Sequence, residues 1–504
     1  MKIPLAILIL LVGLNLQLPA APAIKPLGGF FLPKGSGEIV AIDGQRQLLV
    51  TTRDSRWKKG LEFIDLSNLS KPRRLGFLSL KKAMPGGLES VSSVAIDPLQ
   101  RGFAVVALIP KKPTRRRGAV AVVDLATRRV ITTVPTGFHP DCVSFSPNGK
   151  FVAVACEGEF RKGEPNTPGS LSYGPVGDPR ALRLYDAPIP VAFPGLRRLR
   201  LPNDTVADLE PEYLTIQGNQ CYVTLQENNG FGIFDLRRHR WQTLRDLGSW
   251  QIRLDPSDRD GPDETRAVLP NKRIHALPMP DTITSFRWRG KTYLVTANEG
   301  DDANTVRGKK LGKDGQPDLD PAYRKRLTDR LGSDPLDDRN FGRLKVAPFE
   351  GDLDGDGDLD RLTTVGTRSF SIWEAKSGRR VYDSGFFFAN VGREHPELFN
   401  VNNGDPNSWD TRSDNHGTEP EAVAAKIIRS RPIIAIATER QNVVYFFDAS
   451  NPARPKLLGA LNEMARNHFS PESIVLLPAA ESPTGRPLAA VGWEGSSSVT
   501  FYEL

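Results

Sequence analysis

The sequence predicts an all-β chain folded as a seven-bladed β-propeller of four-stranded antiparallel blades. Three observations carry this. An apolar strand closing on an acidic residue and then Leu or Ala recurs seven times. Each copy follows two further short apolar runs, the first of which opens on a carboxylate. One such unit cannot bury its own apolar faces and must pack against copies of itself, and seven short-strand units suit a propeller.

The closing runs read LEFIDL to Asp65, AVAVVDL to Asp124, LRLYDA to Asp186, FGIFDL to Asp235, FSIWEA to Glu374, VYFFDA to Asp448 and VTFYEL to Glu503. The opening strands begin at Glu38, Glu89, Asp141, Glu212, Asp281, Glu421 and Glu472. Between them lie QLLVTTR, FAVVALIP, FVAVACEGE, CYVTLQENN, YLVTANEGD, IIAIATERQ and LAAVGWEG. These runs are rich in Val, Ile, Phe, Tyr and Thr and are bounded by turn residues, as strands should be. A weaker fourth run appears in several units, as in RRLGFLSL, RVITTVPTG, RRVYDSG and PKLLGAL. The last unit stops after its third strand at Leu504, so residues 28–33 (GGFFLP) are expected to supply its missing partner. That closure removes both open edges of the ring.

At 504 residues, 39% hydrophobic and 25% charged, the composition is that of an ordinary globular protein. Residues 1–23 combine one Lys, an apolar run and Ala21-Pro22-Ala23. They read as a secretory signal cut after Ala23, leaving 24–504 as a secreted or periplasmic chain; an uncleaved anchor is the competing reading. No other segment approaches a membrane span. The three cysteines, Cys142, Cys156 and Cys221, are expected to be small buried thiols, with a Cys142–Cys156 bridge the alternative. The net charge of +8 and the basic runs at 111–117 and 197–200 lack interleaved aromatics, so nucleic acid is not an expected partner.

The long connections, at 157–180, 246–280, 300–367 and 384–420, all fall after second strands or between blades. In an up-and-down blade those connections share one face with the acidic strand starts, and long loops on a rigid scaffold tend to carry function. Second strands add Glu157, Glu227, Glu299, Glu439 and Glu494 to the same face. The candidate ligand-binding set there is Glu212, Glu227, Asp281, Asn298, Glu299, Glu421, Glu439, Glu472 and Glu494, with Arg53 and Arg440 as cationic partners. Crowded carboxylates demand cations, protons or Arg. The set either locks neighbouring blades through backbone N–H groups or binds a metal or ligand.

Residues 352–360 read Asp-Leu-Asp-Gly-Asp-Gly-Asp-Leu-Asp. Alternating hard oxygens suit Ca²⁺. Asp352, Asp354 and Asp356 would give side-chain oxygens, Asp358 its carbonyl, and Asp360 would close the loop directly or through water. Leu359 would turn inward. The pattern matches the calcium loops of integrin-type propellers, and Thr363 at the twelfth position argues against an EF-hand. A structural role within the 300–367 insertion is expected.

Several segments in order along the chain resemble the choice-of-anchor I family of secreted and surface propellers, also described as mesenchyme-specific cell-surface glycoprotein-like. They are DLEPEYLTIQGNQCYVTLQENN, KTYLVTANEGDD, FGRLKV, GDLDGDGDLD, RSFSIWEA, DTRSDNHGTEPEAV and PAAESPTGRPLAAV. The resemblance implies a seven-bladed exported propeller. It implies little about activity, although some members carry alkaline-phosphatase labels. Cys156 stands where the family often has an Asn before the third-blade Glu, which puts a ligand role at that position in doubt. The chain ends at its last propeller strand, so no surface anchor is expected.

The functional expectation is a calcium-binding scaffold or binding protein, monomeric, that takes a small molecule, polymer or protein at the acidic channel face. The alternative is a metal-dependent phosphoesterase using the acidic rim. No G-x-S-x-G elbow and no histidine cluster with metal spacing is visible, although His139 and His416 are expected near the working face.

Overall fold

The computed structural model describes residues 24–158, 161, 163–190, 209–260, 272–302 and 304–504. The expected signal at 1–23 and the basic run at 197–200 lie outside them. Among the described residues the fold is all-β with two α-helices, Pro321–Leu331 and Phe387–Glu394.

Six sheets are four-stranded and antiparallel, and another has the same plan with its first strand split into Leu88–Ser90 and Val94–Ile96. Following the chain, their first strands are Ser36–Asp43, the split pair, Pro140–Phe145, Pro211–Gln217, Ile283–Trp288, Pro420–Ile428 and Pro471–Leu477. Middle strands such as Phe103–Pro110 are buried on both faces, which is why they read as unbroken apolar runs. Outer strands such as Arg73–Ser79 are half-exposed and correspondingly weak as sequence signals.

The cores lie between sheets. Val50 and Phe63 of the first sheet pack with Val106 and Ala121 of the second, and the same pairing recurs at each junction along the chain. Val40, Leu49 and Ile64 of the first sheet also pack with Leu488, Val499 and Phe501 of the last. First strands touch their successors, and Pro471–Leu477 touches Ser36–Asp43. Strand Lys25–Phe31 pairs antiparallel with Ser498–Glu503, with Phe30 opposite Val499. It begins three residues earlier than the expected 28–33 run.

One expectation is corrected. In the third sheet the third strand is Ser170–Pro175, and Asp186 lies on the fourth, Tyr185–Pro188. SLSYGP has too few apolar residues to stand out, so its neighbour LRLYDA took its place. The 246–280 and 300–367 connections pack together. Together they build a five-stranded sheet from Trp250–Arg253, Arg273–Leu277, Thr363–Val365, Lys345–Val346 and Val306–Arg307. Helix Pro321–Leu331 covers it, and a core of its own joins Ile274, Leu319, Leu327, Phe341 and Leu359. Residues 304–340 contribute Leu311, Leu319, Leu327 and Leu336 to that core. All three cysteines are buried and free.

Candidate functional site

The seven strand-closing carboxylates are turn caps or ion-pair partners, remote in role from any site. Asp65 accepts the Ser67 N–H, Asp124 that of Thr127, Asp235 those of Arg237 and Arg238, and Asp448 that of Ser450. Short polar side chains commonly satisfy a turn in this way. Asp186 instead accepts from Ser170 and Ser172, as Asp383 does from Ser369 and Ser371 in the fifth sheet.

The strand-opening carboxylates behave differently. Glu38, Glu89, Asp141, Glu212, Glu421 and Glu472 each sit inside a register shift between the first and second strands of their sheet. A β-bulge adds a residue and re-aims a side chain. The signal that sequence reasoning missed is the proline directly before five of the strand starts, in Pro140-Asp141, Pro211-Glu212, Pro280-Asp281, Pro420-Glu421 and Pro471-Glu472. Proline has no N–H for the ladder and is tolerated at a strand's first residue or a bulge.

These carboxylates act on one another. Burial, then Asp281, Glu157, Asp141 and Glu227 hold Glu212 well above the usual carboxyl range. Burial, then Glu299, Asp281, Glu472 and Glu439 do the same to Glu421. Glu299 and Glu472 are likewise raised, first by burial and then by neighbouring acids. Asp281 is pushed up to about 7 by burial and Asp141, and Glu38 to about 8 by burial, Glu494, Asp141 and Asp54. Glu439 is raised by burial despite Arg440. The two acidic sets, strand starts and second-strand ends, thus lie close to one another. His139 pairs with Glu157 at 3.0 Å, and His416 has a ring nitrogen within 4.8 Å of Glu299.

Two of the expected mouth residues are engaged elsewhere. Arg53 pairs at 2.7 Å with Glu62, which is fully buried in the first sheet and also held by Arg74. Asn298 is buried within the fifth sheet, accepting from Thr296 and donating to Ser369 and Ser371. Cys156 occupies the same place in the third sheet, 3.6 Å from Ser172 Oγ. The difference between Cys and Asn at this position therefore falls within a buried polar network.

Three groups of carboxylates, one with a histidine, bring ligand atoms within 4.8 Å of one another inside the protein: Asp281, Glu299 and Glu421; Glu299, His416 and Glu419; and Asp255, Asp260 and Asp410. They differ in compensation. Glu419 faces both Arg412 and Arg440, and Arg440 also pairs with Glu439 at 2.8 Å. Lys272 pairs with Asp260 at 2.7 Å, Ser257 N–H donates to Asp255, and Ser413 donates to Asp410. In the first group, Asp281 Oδ2 and Glu421 Oε2 are shut away from solvent with no hydrogen-bond partner.

The 352–360 loop is exposed and largely self-satisfied. Asp352 accepts from Gly355 and Gly357 N–H, Asp354 from Asp356, Asp356 from Asp358, and Asp360 from Leu353. Asp352, Asp354 and Asp356 also converge within 4.8 Å. Gly355 and Gly357 take φ of +85° and +97°, a region that favours glycine. Leu359 is buried in the insertion core. Asp358, half-buried, is pushed up to about 6 by loss of hydration and by Asp356, Asp320 and Asp360.

Residues 38–452 match the model of the choice-of-anchor I domain. The chain belongs to the choice-of-anchor I family. Gigasin-3a of Magallana gigas is 28% identical over 203 residues, covering 36% of this chain and 69% of that protein. Hydrazine synthase of Kuenenia stuttgartiensis has 12% identity and a TM-score of 0.49, covering 94% of this chain and 97% of that one. The β-propeller domain of Cps50 (Swd1) from Myceliophteria thermophila has 10% identity and a TM-score of 0.47, covering 94% and 99%. Both scores fall below 0.5, and the fold is taken from the strand pairings above. Among the described residues no helix is long and apolar enough to cross a membrane.

Proposed function

We propose that the protein is an exported, closed seven-bladed propeller that works as a binding or scaffold protein, with Ca²⁺ in the 352–360 loop and its ligand at the acidic mouth. The unbroken series of inter-sheet cores, including the one between the last sheet and the first, supports closure. The leader-like residues 1–23 support export. One observation carries the functional reading. Carboxylates from several sheets are driven together at one mouth, where burial and mutual repulsion raise most of them. Such crowding of buried like charges costs stability unless something cationic is bound.

The phosphoesterase alternative needs a guanidinium aimed at a phosphoryl group. Arg53 is committed to Glu62, and Arg440 to Glu419 and Glu439. The geometry therefore favours the binder. A screen of phosphomonoesters and phosphodiesters with the mature protein and Ca²⁺ separates the two. The binder reading expects no turnover, and turnover abolished by Glu227→Gln would replace it with the enzyme.

A further inference from the structure

We propose that the mouth holds a hard divalent cation of the Ca²⁺ or Mn²⁺ class between the carboxylates of Asp281, Glu299 and Glu421, at a site separate from the 352–360 loop. This rests on reading the mouth as the binding surface and names what binds there.

Asp281 lies just before the first strand of the fifth sheet, Glu299 just after its second, and Glu421 on the first strand of the sixth. One ligand atom from each lies within 4.8 Å of the others. Asp281 is only 5% exposed, and its Oδ2, like Glu421 Oε2, has no donor facing it. A buried acceptor without a partner forfeits its hydration with nothing in return. The surroundings hold the three in place. Gln226, from the fourth sheet, donates to Glu299 Oε2 at 2.9 Å and to the Gly300 carbonyl at 3.0 Å. Thr282 Oγ1 donates to the Glu421 carbonyl. Such outer contacts orient ligands in metal sites.

Each proton taken up relieves one negative charge of the three, and one held between Asp281 and Glu421 serves a single pair of oxygens. A divalent ion relieves two and supplies a partner to both orphaned oxygens at once. The donors are all carboxylate oxygens, which select hard cations over Zn²⁺ or Cu⁺. The neighbouring group of His416 and Glu419 makes no such demand, because Arg412 and Arg440 already neutralise Glu419.

The test counts bound Mn²⁺ by calorimetry and electron paramagnetic resonance on the mature chain. Wild type is expected to bind two ions, and the Asp354→Ala, Asp356→Ala loop variant to keep one. Adding Asp281→Asn to the loop variant should weaken that ion roughly tenfold or more. Glu299→Gln does the same and serves if the first substitution perturbs folding. A loop variant that binds no Mn²⁺ overturns the proposal and leaves the calcium loop standing. A retained ion indifferent to both substitutions also overturns it. A single wild-type ion that is lost in Asp281→Asn and survives the loop substitutions supports the proposal and sinks the loop instead.

Discussion

The mouth and the seam beneath the insertion are both crowded with buried acids, and they resolve the crowding in opposite ways. At the seam most acids meet cations of the chain, although burial and neighbouring acids still raise Asp255 and Asp410. Arg343 pairs with Asp258 and with Asp414 at 3.1 Å, Arg307 pairs with Asp414, and Lys345 reaches Asp302 at 3.0 Å. Arg368 is buried and donates to the carbonyls of Asp255, Ser413 and Asn415, tying the two inter-sheet connections to the end of the insertion. Burial there lowers its guanidinium to about 10. Around Asp281, Glu299 and Glu421 the strongest neighbouring charges are other carboxylates. A joint meant to stay shut is neutralised by residues of the chain. On the proposed reading, a mouth left negative is a place for something added.

The largest expected effect is at the seam. Arg368→Met removes the donor to three buried carbonyls and should cost ~3–5 kcal/mol in chemical denaturation, with faster proteolysis of the 300–367 insertion. A loss below ~1 kcal/mol would mean that the seam is not held by its cations, and the contrast would break.

The mouth makes a prediction in pH. Asp281 and Glu38 titrate near 7 and 8 when folded, above their ordinary values of 3.8 and 4.5. The folded state therefore holds these protons more tightly than the unfolded chain. Their stabilising contribution is full below about pH 4 and is lost as pH rises through 7 to 8. Without metal the melting temperature should fall between pH 5 and pH 8.5, and excess Ca²⁺ should flatten the fall. A flat profile without metal would show that the mouth is already compensated.

Asp281→Asn sharpens the same point. Removing one charge from an uncompensated cluster should raise metal-free stability at pH 8 by ~1–3 kcal/mol, as read by urea unfolding. The equivalent neutralisation at the seam, Asp414→Asn, should lower it.

The smallest effect belongs to the exposed loop. Asp354→Ala with Asp356→Ala should change metal-free stability by no more than ~0.5 kcal/mol, since these groups lie in water. The pair should abolish any rise in melting temperature on adding Ca²⁺ to the loop. A melting curve unchanged by chelator in wild type would remove calcium from the loop.

Much of this architecture could be read from the residues. The middle strands announce themselves because burial on both faces makes them continuously apolar, as in FAVVALIP and VVYFFD. Polar strands hid: SLSYGP buries serines whose partner, Asp186, lies on the next strand, so a polar network looked like a loop. The 352–360 loop was legible because its ligands are contiguous. The convergence of Asp281, Glu299 and Glu421 follows only from sheet adjacency, although each was named from its place in the repeat. Arg412 and Glu419 were not singled out, because they belong to a long connection whose path no periodicity sets. The Arg53 pairing was not legible because its partner, Glu62, is a charge inside an apolar strand, LEFID, which Arg53 and Arg74 together neutralise.

The most direct measurement is diffraction from crystals grown with Mn²⁺, collected where manganese scatters anomalously. The account predicts an anomalous peak bounded by the carboxylates of Asp281, Glu299 and Glu421. A map with ordered side chains at those three positions and no peak among them would contradict it.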